Sequence, residues 1–135
     1  MNIDQAHNSA KAFLIAFSRC MELRPKKDGE FERLAVPGIV CAAFSAELGL
    51  KALLLASGKN VKGHNLQTLF EELDEATQKK IISASGIAGP PFRSSLAASA
   101  NVFDEWRYVH EKSGLNAFPA FLGTLAQSIQ SVFAP

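Results

Sequence analysis

The chain has 135 residues, 47% of them apolar and 20% charged, with 14 basic residues against 13 acidic ones for a formal net charge of +1. That length is one domain's worth, 1–135, able to bury a core without disulfide or metal support, and the composition excludes a disordered chain or a charged tail. The balanced charge excludes a global electrostatic footprint for nucleic acid and leaves only a local patch.

Ile3, Ala6, Ala10, Phe13, Leu14, Phe17 and Met21 recur at three- and four-residue steps, which predicts an amphipathic helix over 3–23. Residues 24–30 are a polar loop with Pro25 and Gly29 as breakers. Pro37 suits the first turn of a second helix, and Gly58 suits its C-terminal cap. After a polar connector over 59–64, Leu66, Leu69, Phe70 and Leu73 mark a short third helix. A further helical piece runs over 74–83, with Asp74 as its N-cap. Residues 86–91 read as an interruption. Phe92, Leu96, Ser99, Ala100, Phe103, Trp106 and Arg107 trace a long helix ending near residues 113–114. Pro119 opens a last helix, where Phe121, Leu122, Leu125, Ile129, Val132 and Phe133 keep the period. No segment alternates as a strand would, and there is no repeat. The expectation is an all-α domain, an antiparallel up-and-down bundle of four to five helices.

Cys20 and Cys41 fall in apolar helical stretches, too few for a disulfide scaffold and without metal spacing, so buried reduced thiols are expected. Residues 37–57 are nearly all apolar or small and long enough to span a bilayer. Glu47 and Lys51 sit at the middle of that stretch, where charge is costly in lipid. Residues 1–11 mix Asp4, Gln5 and Asn8 instead of leading into an apolar core, which is not a signal-peptide pattern. The stretch reads as a buried core helix with no membrane role, in a cytoplasmic protein.

The informative step is to place charges on the helical wheel. With Val40 at zero, Phe44 lies at about 40° and Leu54 at about 320°, while Glu47 falls at about 340° and Lys51 at about 20°. Both charges stand in the middle of the large apolar stripe. Glu first and Lys four residues later is the favourable order for an ion pair, and burying either alone is expensive. The opposite face carries Ala42, Ser45, Ala46, Gly49, Ala52 and Ala56. Gly49 in mid-helix costs about 1 kcal/mol relative to Ala, so a close packing partner is expected there, either within one chain or across a dimer. Arg107 and His110 share a face with Phe103, and an inward Arg can clamp a carboxylate such as Glu47. Gly63-His64-Asn65-Leu66 reads either as a capping element, with His64 or Asn65 covering free backbone N–H groups, or as a delivery of His64 to the Glu47/Lys51 pair. His7 is assigned no role.

Three histidines, at 7, 64 and 110, provide no zinc or di-iron spacing, so no metal and no cofactor are expected. Ser57-Gly58-Lys59-Asn60 matches only the end of a phosphate-binding loop, because the required first glycine falls at Leu53. No Gly-x-Ser-x-Gly occurs.

Three blocks carry a family resemblance. Phe44-Ser45-Ala46-Glu47-Leu48-Gly49-Leu50-Lys51-Ala52-Leu53-Leu54 resembles the "E…lKalL" helix of HEPN-domain proteins. Gly63-His64-Asn65-Leu66-Gln67-Thr68-Leu69-Phe70-Glu71-Glu72-Leu73 is similar to the "GHdLxxLfxxL" segment that follows it in some branches. Phe103-Asp104-Glu105-Trp106-Arg107-Tyr108-Val109-His110-Glu111 resembles the late "F..WRY..E" helix. The blocks come in the family's order and cover about residues 40–111. The resemblance implies a helical bundle, a homodimer, and a role around RNA, nucleotides or bacterial toxin–antitoxin conflict. The candidate ligand site is Glu47, Lys51, His64, Arg107, Tyr108, His110 and Glu111, polar positions set among apolar ones. Many members are ribonucleases with Arg, four to six residues, then His. Here Arg107 is followed by His110 after two residues, and no other Arg has His at that distance. Three functions follow as expectations: an anion-binding module for a nucleotide or RNA end; a metal-independent ribonuclease with Arg107 and His110 as catalytic candidates, in which His110 or His64 is the general base and Arg107 or Lys51 stabilises the phosphorane charge; and a structural partner of a small nucleotidyltransferase.

Overall fold

The computed structural model describes residues 1–32, 34–101 and 119–133. Six helices occur among them: α1 (Ile3–Cys20), α2 (Ala35–Ala56), α3 (Leu66–Glu71), α4 (Glu75–Ser85), α5 (Gly89–Ser99) and α6 (Pro119–Phe133). No strand is present among the described residues beyond an isolated bridge between Pro25 and Phe31. The described part of the chain is all-α, as its periodicity requires.

Helix ends follow local chemistry. Asn2 and Gln5 form a reciprocal capping box at the start of α1, with Gln5 N–H donating to Asn2 Oδ1 at 2.8 Å and Asn2 N–H to Gln5 Oε1 at 3.1 Å. α1 ends at Cys20, three residues short of the sequence expectation, since the last apolar residue of the period, Met21, serves as the C-cap. α2 begins at Ala35, two residues before Pro37, which therefore lies inside the first turn where its missing N–H costs nothing. Its other end is a Schellman motif. Gly58, at φ +84°, donates N–H to Leu55 O at 3.0 Å, and Lys59 N–H reaches Leu54 O at 2.9 Å. Asp74 caps α4 by accepting Thr77 N–H at 2.7 Å, and Gly86 closes that helix at φ +71°. Residues 86–91 are only half an interruption. α5 starts at Gly89 and carries Pro90 and Pro91 in its first turn, where prolines start helices instead of breaking them. Ala100 caps its C-terminus, and the remainder of the long helix expected there, with Phe103 and Trp106, lies outside the described residues.

α2 is the central rod. Its start lies beside the end of α1, since Gly38 faces Cys20 and Phe17, and the pair runs antiparallel through Phe13–Phe44 ring stacking at 5.2 Å. The buried Ser45 hydroxyl donates to Ala10 O at 2.7 Å and fixes their register. α6 crosses α1 in the opposite direction, with Gly123 against Phe17 and Phe133 against His7. It therefore runs parallel to α2. Gly49 is the notch between them: a methyl built there would stand 2.6 Å from Ile129 Cγ2. The small-residue face of α2 is thus filled by the chain's own α1 and α6, and it carries no argument for a dimer.

Phe70, Phe92 and Phe121 link α3, α5 and α6 through a tilted and then an edge-to-face ring contact, with centroids 5.4 Å apart at each step. α2 is long and apolar enough to cross a bilayer by length and composition, and 56% of its most apolar stretch is buried inside this fold.

Candidate functional site

The register of α2 determines the site. Ser45 on Ala10 and Gly49 on Ile129 turn one face inward, and Glu47 and Lys51 then point to the side where the connector to α3 returns. Glu47 is 5% exposed at its side chain and Lys51 is 21% exposed. Lys51 Nζ donates to Glu47 Oε2 at 3.2 Å. The wheel position and the i,i+4 pairing agree with the sequence reading.

His64 reaches the same carboxylate from outside, its Nδ1 2.8 Å from Glu47 Oε1. The connector delivers it in two steps. Gly63, at φ +105°, takes a turn that side-chain-bearing residues rarely adopt. Asn65 then caps α3 by accepting Thr68 N–H at 2.9 Å, while its amide donates to Asn101 Oδ1 at 3.0 Å. Leu66 N–H donates to Ala100 O at 3.1 Å, so the end of α5 holds the start of α3. Both sequence readings of this segment therefore apply, to different residues: Asn65 makes the cap, and His64 is delivered to the ion pair. Lys59 fastens the connector from the far side by donating to Glu72 O at 2.8 Å.

Glu47 Oε1 and Oε2 are each engaged, one by a ring nitrogen and one by an ammonium. A buried carboxylate held this way stays fixed in orientation. Next to the carboxylate, Nδ1 carries the proton that Glu47 accepts, the arrangement by which carboxylates set a histidine tautomer.

Glu47, Lys51 and His64 open onto one cavity of about 390 Å³, within the range of small-molecule sites. Leu48, Leu55 and Val61 form its apolar wall, and Asn60, Lys62 and Met1 complete the rim. Two lysines and one carboxylate line the cavity, and the carboxylate is already engaged by Lys51 and His64. The charged lining is therefore net cationic, which suits an anionic group beside a flat apolar one. The Val61 and Lys62 contributions escaped the sequence reading, whereas Leu48 and Leu55 lie on the stripe of α2 that carries Glu47 and Lys51. The signal available was the Gly58 cap, which forces the chain leaving α2 to turn back along the helix.

Of the seven expected ligand residues, the structure brings Glu47, Lys51 and His64 together. Arg107, Tyr108, His110 and Glu111 lie outside the described residues, and with them the Arg107–Glu47 clamp and the Arg107/His110 catalytic pair. No three His, Cys, Asp or Glu side chains meet as a metal cage among the described residues.

Comparison of the chain with family models, curated proteins and solved structures returns no match.

Proposed function

We propose that the chain is a HEPN-like helical binding module whose Glu47/Lys51/His64 cavity holds a nucleotide or the nucleotide end of an RNA. The convergence of a buried, doubly held carboxylate with Lys51, Lys62 and His64 at the mouth of one apolar-walled cavity supports this reading. Leu48, Leu55 and Val61 offer a surface for a base, and the lysines offer point charges for phosphate. Glu47 serves as the fixed anchor that positions Lys51 and His64, not as a ligand contact. The same reading makes the protein cytoplasmic and a homodimer. The dimer then uses a face other than the small-residue stripe of α2.

The test is thermal melting of the purified chain with nucleoside mono-, di- and triphosphates and with short 5′-phosphorylated RNA. A ligand at a hundred times its dissociation constant adds about 2.7 kcal/mol of stability. Lys51→Ala and Lys62→Ala are each expected to abolish that gain. A melting temperature unmoved by every one of these ligands would refute the reading.

The Glu47–His64 contact favours a second reading, metal-independent ribonuclease. There His64 Nε2 is the general base for a ribose hydroxyl and Lys51 stabilises the charge growing on phosphate. RNA cleavage that is lost in His64→Ala and unaffected by chelator would select it over simple binding. The third, a nucleotidyltransferase companion, has no such contact behind it.

A further inference from the structure

We propose that Cys20 and Cys41 form a redox-active dithiol that closes into a reversible disulfide between α1 and α2 when the protein meets a hydroperoxide. Cys20 is the last residue of α1, and Cys41 lies in the second turn of α2. The antiparallel packing of these helices puts them side by side. Cys20 Cβ lies 3.2 Å from where a Cβ on Gly38 would stand, and Cys41 follows Gly38 by three residues on the same helix face. Glycine at 38 is what lets the Cys20 side chain lie against the α2 backbone. Both thiols are free and only half-buried, so a small oxidant reaches them.

Burial and the Cys20 neighbour both push the Cys41 thiol up, which makes Cys41 the poorer first nucleophile. Cys20 therefore leads. Its thiolate attacks a peroxide oxygen; an S–O bond forms, the O–O bond breaks, and the leaving oxygen takes a proton as water or alcohol. Cys41 sulfur, losing its proton, then attacks the sulfenic sulfur. The S–S bond forms, the S–O bond breaks, and hydroxide leaves to be protonated to water. The two thiols are oxidised by two electrons and the peroxide is reduced by two. Thiol reagents reverse the step by exchange.

The bond would tie the two ends of the exposed link between α1 and α2, whose residues 21–32 and 34 form the least protected part of the described chain. It sits towards the opposite end of α2 from Leu55 and His64, so it does not depend on the anion-binding reading.

The experiment uses the full reduced chain, hydrogen peroxide as the probe, and intact mass after alkylation. The expected product is a monomer lighter by two hydrogens, blocked to alkylation, and restored by dithiothreitol. Its melting temperature should rise by about 10 °C from closure of the loop. Cys41→Ser should instead accumulate a sulfenic acid at Cys20 that dimedone traps. Separate sulfinic acids on the two residues, a disulfide-linked dimer, or an oxidised monomer that melts lower would each overturn the proposal. The wild-type mass decides the matter even where a serine variant folds poorly.

Discussion

Replacing Glu47 by alanine removes the carboxylate that two side chains share, and the cost depends on what the partners do next. Breaking a fully buried ion pair costs roughly 3–5 kcal/mol, because the abandoned charge stays buried. Here the partners are not fully buried: Lys51 is 21% exposed and His64 69% exposed at their side chains. Lys51 can swing its ammonium towards the cavity, and His64 can turn to water. What is lost is two charge-assisted hydrogen bonds, each worth about 1.5–3 kcal/mol, and what is regained is the several kcal/mol spent in burying the carboxylate. The balance puts Glu47→Ala at about 2–3 kcal/mol. Glu72→Ala, whose carboxylate is half exposed and 4.0 Å from Lys59, should stay within about 0.5 kcal/mol. Urea unfolding reads both as a shift of midpoint at constant slope. The double variant Glu47→Leu/Lys51→Met replaces the pair by apolar groups of similar length. It should be more stable than Glu47→Ala, because no charge is left without its partner. If Glu47→Ala and Glu72→Ala shift the midpoint equally and slightly, Glu47 faces water and the site as described does not exist.

Gly49→Ala gains about 1 kcal/mol of helix propensity but drives a methyl against Ile129 Cγ2, a stiff β-branched atom, so a net loss of about 1–2 kcal/mol is expected in the same assay. Ile129→Leu moves the branch away from Cβ and should recover part of that loss; additive losses would show that the contact is not the cause. Asn65→Ala removes the α3 cap and should cost about 1 kcal/mol while weakening any ligand effect that depends on His64. Asp74 accepts the Thr77 N–H, which holds its carboxyl below the ordinary aspartate value. Its contribution is therefore complete above that ordinary value and is lost as pH falls through the lower, folded one. Asp74→Asn keeps the cap without the charge, so wild type and variant should melt together at neutral pH and wild type should lose ground in acid. Parallel melting curves through the acid range would mean that the carboxylate form adds nothing.

The site was legible where it depended on one helix. Wheel arithmetic alone put Glu47 and Lys51 on the apolar face of α2, and a Gly in mid-helix announced a close neighbour without saying which. Asp74 and Asn65 announced themselves because capping is chemistry of adjacent residues. Pro90 and Pro91 misled, because a proline pair breaks a helix that precedes it and starts one that follows, and the sequence alone does not say which. The Ser45–Ala10 bond and the cavity wall at Val61 and Lys62 depend on how separate segments cross, so no local pattern encodes them. Asn2–Gln5 was within reach, as a short polar acceptor three residues ahead of a glutamine, and passed unread.

The Gly49 notch also bears on how the chain reaches its native state. α1 and α2 are neighbours in sequence and can zip together as a hairpin of helices at little loop-closure cost. Ile129 and Phe17 meet their glycine notches across more than half of the chain's length, so α6 seats only after a long loop has closed. Until then the part of the small-residue face of α2 that α1 leaves uncovered lies open as an apolar groove. The expected late event of folding is the docking of α6, so substitutions at Ile129 and Gly123 should speed unfolding more than they slow folding.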